Sequence, residues 1–224
     1  MMENLVTPWT LYILMGINAL YSLLALQNDR LMERGYFRVG DILGRKESWR
    51  LFTSAFLHVD YMHLGVNMYT LYIFGEILNP ILGHEQFLMV YLGALLGGNL
   101  LSLWVNHKNY SYTAVGASGA VSGIVFATVI LFPDMNLGIM FIPIGIPGWI
   151  FALLYTAYSI YGVRSQLGNV GHDAHLGGGI AGAVVLIALY PDLLVYSWKP
   201  ILAILVPAVI FFLVLWKRPD WFKR

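Results

Sequence analysis

The sequence predicts an all-α polytopic membrane protein with seven apolar spans. Two observations carry that prediction. Hydrophobic residues make up 58% of the 224 residues and charged residues only 11%, with a mean hydropathy of +0.69, which is too apolar and too charge-poor for an ordinary soluble domain. The apolar residues also fall into runs near the roughly 20 residues that a helix needs to cross a bilayer. The runs lie at about residues 8–26, 62–82, 87–105, 117–132, 147–161, 174–190 and 200–216.

The first span follows MMENLVTP, which has no basic stretch, and no small-residue cleavage site follows it. It is expected to be an uncleaved membrane helix. Residues 27–61 form the longest connection and carry Arg30, Arg34, Arg38, Arg45, Lys46 and Arg50 among aliphatic and aromatic residues. That mixture suits short helices lying at headgroup level. The second and third spans are of full length, whereas the fourth and fifth are short and are expected to be extended by flanking residues or to stop inside the protein. Before the fifth span, MFIPIGIPGW (140–149) alternates proline and glycine with isoleucine, and is expected to be a loop skirting the interface. The sixth and seventh spans are plain apolar runs.

The net charge of +1 gives no reason to expect nucleic acid as a partner. The absence of cysteine excludes disulfides, thiol catalysis and thiolate metal sites.

Polar residues inside apolar runs are costly in lipid and tend to be paired or functional. They are Asn18, His63, Asn67, Glu76, Asn79, Asn99, Ser118, Ser122 and His175, with His172 and Asp173 just ahead of the sixth span. HLGVN places His63 and Asn67 at i and i+4, on one face near the start of the second span. Ser118 opens the fourth span and His175 the sixth. Alternate spans run in the same direction, so these four residues share one membrane depth.

A serine, an imidazole base and amide or imidazole donors are the parts of an acyl-transfer site. Here the donors would be His63, Asn67 and the Ser118 backbone N–H. Gly119 with Gly123, and Gly178 with Gly182, form GxxxG pairs that would let the fourth and sixth spans approach closely. Gly116 can adopt the positive φ of a tight turn and free backbone N–H groups for the pocket. Each feature alone is more often packing or an interhelical hydrogen bond. Glu76, Asn79, Asn18 and Asn99 are read that way. No HExxH or carboxylate spacing supports a metal among His58, His63, His172 and His175. Asp173 points to a different helix face from His175, which favours a dyad over a triad.

GASGA with Ser118, AHLGGGIAG with His175, HLGVN with His63 and Asn67, and the pair Trp49-Arg50 together resemble the rhomboid family of intramembrane serine proteases. The resemblance implies a rhomboid-like six-helix bundle over residues 1–192, followed by an additional C-terminal transmembrane helix and basic tail in 193–224, as in some bacterial members. It implies that Ser118 is the nucleophile, that His175 is general base and then acid, and that His63 and Asn67 stabilise the oxyanion. Trp49 and Arg50 would be structural residues of the first loop. No cofactor is implied. Single-span membrane proteins in the lipid bilayer are the implied substrates, with small residues at the cleavage site, and the bacterial cell inner membrane is the implied location.

The sequence departs from the family pattern at Ser122, where many members carry an aromatic residue beneath the histidine ring. Ring stacking under His175 is therefore in question, and Ser122 could bond the histidine or its own helix. The charge distribution also conflicts with the family. Twelve of the 13 Lys and Arg residues fall on the active-site side, which the positive-inside rule assigns to the cytoplasm. The family implies an outward face, and that implication is preferred because half of those charges lie in one loop.

Water must reach the serine, and a substrate must come in sideways and unwind to offer its carbonyl. The fifth span is the expected lateral gate. The rival functions are a catalytically weak rhomboid-like factor that binds membrane proteins, which would be expected to lack the serine or histidine, and a transporter. A transporter would need polar groups throughout the bundle, whereas here they gather near one end.

Overall fold

The computed structural model of the chain describes residues 6–139, 142–165, 168 and 170–217. Its long helices are α1 (Trp9–Ala25), α5 (Tyr61–Asn106), α6 (Ser118–Leu131), α7 (Gly148–Ser165), α8 (His172–Leu189) and α10 (Trp198–Lys217). Short helices α2 (Asp29–Gly35), α3 (Val39–Gly44) and α4 (Arg50–Thr53) occupy the first connection, and α9 (Leu193–Tyr196) precedes α10. Helices α5, α8 and α10 are each long and apolar enough to cross a membrane, and α1 and α6 are shorter apolar helices.

The second and third spans are the two halves of α5. They meet at Gly83, whose φ of 78° and ψ of 175° are non-helical, a conformation essentially reserved for glycine. Pro80 lacks the N–H that a continuous helix would use. Asn79 steadies the bend, accepting from the Leu11 N–H and donating to the Gly83 carbonyl, both at 3.3 Å. Asn18 donates to Leu14 O and to the buried Tyr91 hydroxyl, and Asn99 donates to Leu51 O and Ser54 Oγ. Glu76 accepts from the Tyr12 hydroxyl. Each of these residues thus has at least one partner, as hydrocarbon demands, while Asn18 Oδ1 is buried without one.

The first connection is organised by Arg50, which is only 5% exposed. Its guanidinium donates to the carbonyls of Glu33 and Tyr36, both at 2.9 Å, and pairs with Glu47 and Asp41. Four partners compensate a charge that would otherwise be costly to bury. Trp49 beside it is exposed. The connection is stitched to the segment ahead of α6 by a two-residue ladder, β1 (Phe37–Arg38) against β2 (Thr113–Ala114), in antiparallel register.

The expected loop at 140–149 is different in the structure. Met140 and Phe141 lie outside the described residues, but β3 (Asn136–Ile139) pairs antiparallel with β4 (Ile142–Pro147). Both are edge strands, where the missing N–H of Pro143 and Pro147 breaks no obligatory ladder bond. The basic tail beyond Lys217 also lies outside the described residues.

At the centre is α6, with every residue from 119 to 130 buried, packed between α5 and α8. A helix apolar on all sides belongs in such a place. By contrast α1 and α10 turn Ile13, Leu20, Leu202, Val209 and Ile210 outward, as surfaces facing lipid do. Helix α7 packs chiefly on α10 and α8 and much less on α6.

Candidate active site

The 14 residues of α6 span about 21 Å at the usual helical rise, less than the roughly 30 Å of a hydrocarbon core. Being enclosed by other helices, α6 need not match the membrane thickness. Its first residue borders a cavity of ≈ 1240 Å³. Ser118, His175, His63, Asn67, Ser122 and Tyr155 all line that cavity.

Ser118 is the first residue of α6, after Ala117. The first N–H groups of a helix have no partner within it and carry the positive end of its dipole. The two N–H groups before Ser118 are committed elsewhere. Gly116 N–H donates to Ser54 O at 3.0 Å, and Ala117 N–H donates to His58 Nε2 at 3.4 Å. With the N–H groups of Gly116 and Ala117 engaged, the backbone donor expected of this turn is that of Ser118. Gly116 has φ +135°, and a Cβ there would lie 2.8 and 2.9 Å from His63 Cε1 and Nε2 and 3.6 Å from Ser118 Oγ. Its missing side chain is what allows the His63 ring to stand beside the serine.

His58 was weighed from sequence only as a metal ligand, yet it holds this turn. Its Nε2 accepts from Ala117, so its proton sits on Nδ1 and is donated to Ser22 Oγ at 2.8 Å. Ser22 in turn donates to Phe56 O. Burial pushes the His58 imidazole down to about 3, with the neighbouring His63 adding to the shift, so the neutral tautomer this chain of bonds needs is the form present near neutral pH.

His63 stands in the first turn of α5, whose cap is the Asp60 carboxylate accepting from the His63 backbone N–H at 2.7 Å. One turn on, Asn67 gives one amide N–H to the His63 carbonyl at 2.9 Å and has a second for the cavity.

His175 lies in the first turn of α8. The approach of α8 to α6 is made by glycine against glycine. A Cβ on Gly182 would lie 2.5 Å from Gly123 Cα, and a Cβ on Gly178 would fall on the Gly119 carbonyl. A Cβ on Gly119 would itself meet Ala174 O at 3.1 Å. Among the described residues no hydrogen bond joins Ser118 Oγ to His175; unliganded sites of this type are commonly looser than the complexes they form. Asp173 borders the same cavity, and its carboxylate is held by other partners. Its carboxylate accepts from Asn106 and, at 3.3 Å, from the Tyr112 hydroxyl, fastening α8 to the end of α5.

The question raised by Ser122 has a structural answer. Ser122 Oγ donates to Ser118 O at 2.8 Å and lies 2.8 Å from the Tyr155 hydroxyl; it bonds its own helix and α7, not His175. Tyr155 supplies the ring under His175, with centroids 6.2 Å apart and planes inclined by 16°. An aromatic residue is present after all, and it comes from another helix. Among the described residues no group of three or more His, Asp or Glu side chains is arranged to hold a metal ion.

Comparison with known proteins adds independent findings. A family model described as "Rhomboid domain" matches residues 45–192. Rhomboid protein 1, mitochondrial, of Saccharomyces cerevisiae is 31% identical over 180 residues, covering 77% of this chain and 51% of its own length. Presenilin-associated rhomboid-like protein, mitochondrial, of Homo sapiens is 33% identical over 139 residues, covering 58% of this chain and 35% of its own. Putative rhomboid protease YdcA of Bacillus subtilis is 35% identical over 94 residues, covering 41% of this chain and 46% of its own. The chain thus spans about half, or less, of the length of these relatives.

Proposed function

The chain belongs to the rhomboid family, and on that premise we propose that it is an intramembrane serine endopeptidase using a Ser118–His175 dyad. The observation that carries the proposal is the meeting of Ser118, at the half-buried start of a short buried helix, with His175, His63 and Asn67 on one cavity. His175 takes the Ser118 hydroxyl proton as Oγ bonds to the scissile carbonyl carbon. The resulting oxyanion receives hydrogen bonds from the Ser118 backbone N–H, the Asn67 amide and the His63 ring. The C–N bond then breaks and His175 returns the proton to the leaving amine. Water, deprotonated by His175, attacks the acyl carbon, and the ester C–O bond breaks as His175 returns the proton to Ser118 Oγ. Apart from substrate and water, every group in these steps is a side chain or backbone N–H of the chain itself, with no cofactor.

Single-span membrane proteins are the substrates we propose. The cavity is bordered by Val66, Thr70 and Phe74 of α5 on one side and by Phe151 and Tyr155 of α7 on the other. Helix α7 has its main seat on α10 and α8, so it can move without dismantling the α5–α6–α8 centre. This supports α7 as the lateral gate. We divide the chain into a catalytic membrane domain, 1–192, and a C-terminal helix and tail, 193–224, with Trp49, Arg50, Gly116, Gly119, Gly178 and Gly182 in structural roles.

The protein is an integral multi-pass membrane protein. The bacterial cell inner membrane expected from the extra helix gains no support from relatives such as those of yeast and human, whose names are mitochondrial. The deciding experiment is reconstitution with a labelled single-span substrate. Cleavage by the parent is expected to fall by about 10⁴-fold or more, to background, in Ser118→Ala and His175→Ala, with folding intact. Binding of the substrate without cleavage by the parent would instead favour a weakly catalytic membrane-protein binding factor.

A further inference from the structure

Resting on the protease reading above, we infer that Tyr155 is the positioning residue of His175 and that it makes alignment of the base depend on the seat of α7. The need for such a residue comes from the dyad itself. The χ2 torsion of histidine is broad and roughly two-fold, so nothing intrinsic to His175 aims its ring nitrogen at Ser118. Sites of this kind commonly use a third group to orient the base. Here the adjacent carboxylate, Asp173, is bonded to Asn106 and Tyr112 and does not serve.

The flat face of Tyr155 does what that carboxylate does not. The His175 ring lies nearly parallel to it, inclined by 16° at 6.2 Å, while His172 stands at 6.2 Å and 70° from the same imidazole. The tyrosine ring is itself held firmly. Phe126 of α6 meets it edge-on at 5.5 Å, and Phe151, one turn earlier on α7, lies at 5.7 Å and 22°. Its hydroxyl is pinned as well. Since Ser122 gives its proton to the Ser118 carbonyl, the Tyr155 O–H must be the donor to Ser122 Oγ. The ring under the base is thereby tied, through Ser122, to the backbone carbonyl of Ser118 itself.

Two helices share that arrangement, and they differ in freedom. Ser122 and Phe126 belong to the enclosed α6, whereas Tyr155 is covalently part of α7, which borders the cavity and is seated mainly on α10 and α8. A movement of α7 away from α5, widening the lateral path, breaks the Tyr155–Ser122 bond and withdraws the ring from His175. The base is aligned when α7 is closed on its seat and misaligned when α7 is open. Chemistry is thereby coupled to closure around a bound segment.

The test compares Tyr155→Leu, Tyr155→Phe and Ser122→Ala with the parent in two assays: cleavage of a single-span substrate, and labelling of Ser118 by a small fluorophosphonate, which needs no lateral path. For Tyr155→Leu, kcat and the labelling rate are expected to fall about tenfold with KM within about twofold, the scale of a lost ring contact. Tyr155→Phe keeps the ring and is expected to recover both rates to within about threefold. If Tyr155→Leu fails to fold, Ser122→Ala decides: it is expected to slow labelling by about threefold through loss of the pin, and parent-like labelling would overturn the inference. A parent that neither cleaves nor labels overturns the protease reading and this inference together. A parent that does both, matched in both rates by a folded Tyr155→Leu, overturns this inference alone.

Discussion

Where α6 meets α8, backbone faces backbone. A Cβ on Gly182 would sit 2.5 Å from Gly123 Cα, and Gly178 and Gly119 leave no more room. Where α6 meets α7, the contact is made by side chains: Ser122 and Phe126 on one helix, Tyr155 on the other. Backbones in contact have no rotamers with which to adjust, and small-residue interfaces derive their stability from that closeness. Rings and hydroxyls can part and return at the cost of a hydrogen bond and a stacking contact. The difference teaches that one wall of the cavity, carrying Ser118 and His175, is held by backbone contact, whereas the other is held by side chains alone.

The largest expected effect comes from breaking the wall held by backbone contact. Gly178→Leu forces an isobutyl group into the Gly119 backbone, so α6 and α8 must separate. An overpacking cost at the upper end of about 1–3 kcal/mol, or beyond it, corresponds to a fall in thermal midpoint of about 10 °C, with loss of cleavage. An unchanged midpoint in detergent would mean that the glycine contact is not what holds these helices.

A smaller effect is expected from immobilising the other wall. The chain has no cysteine, so Thr70→Cys and Phe151→Cys can be bridged by a reducible thiol cross-linker without background. Cleavage of a membrane substrate is expected to drop about tenfold on cross-linking and to return on reduction, as the proposed gate requires, while fluorophosphonate labelling of Ser118 continues. Unaltered cleavage would remove α7 from the substrate path.

The smallest effect sharpens the contrast between one glycine and another. A Cβ at Gly65, in the interior of α5, meets nothing within 4 Å. Gly65→Ala is expected to stabilise by about 0.5–1 kcal/mol through helix propensity, with the cleavage rate changed by less than about twofold. A fall in midpoint measured alongside Gly178→Leu would show that the two glycines are not as different as their surroundings.

Much of this architecture was legible before any coordinates. The apolar runs placed the long helices to within a few residues, and the break between the second and third spans fell where Gly83 turns the chain. The reading of 140–149 as a loop was less successful. Proline and glycine rightly argued against a helix there, but the alternating isoleucines also suit a strand, and proline at an edge position forbids nothing. Ser118, His175, His63 and Asn67 stood out because polar residues in apolar runs are costly. His58 and Tyr155 did not stand out. A histidine in a mixed connection and a tyrosine in an aromatic-rich span are unremarkable by composition, and no period links them to the serine.

What the sequence determined by itself was therefore the solvent, the number and order of the spans, and the chemical types at one end of them. All of these are carried by local composition and by spacing within single helices. Only the tertiary structure decided that His58 anchors the turn before Ser118, 59 residues away, and that Tyr155 reaches Ser122 across 33 residues. It also decided that the Asp173 carboxylate is taken up by Asn106 and Tyr112. Such pairings depend on how separate helices and connections come together in space, which no single segment encodes.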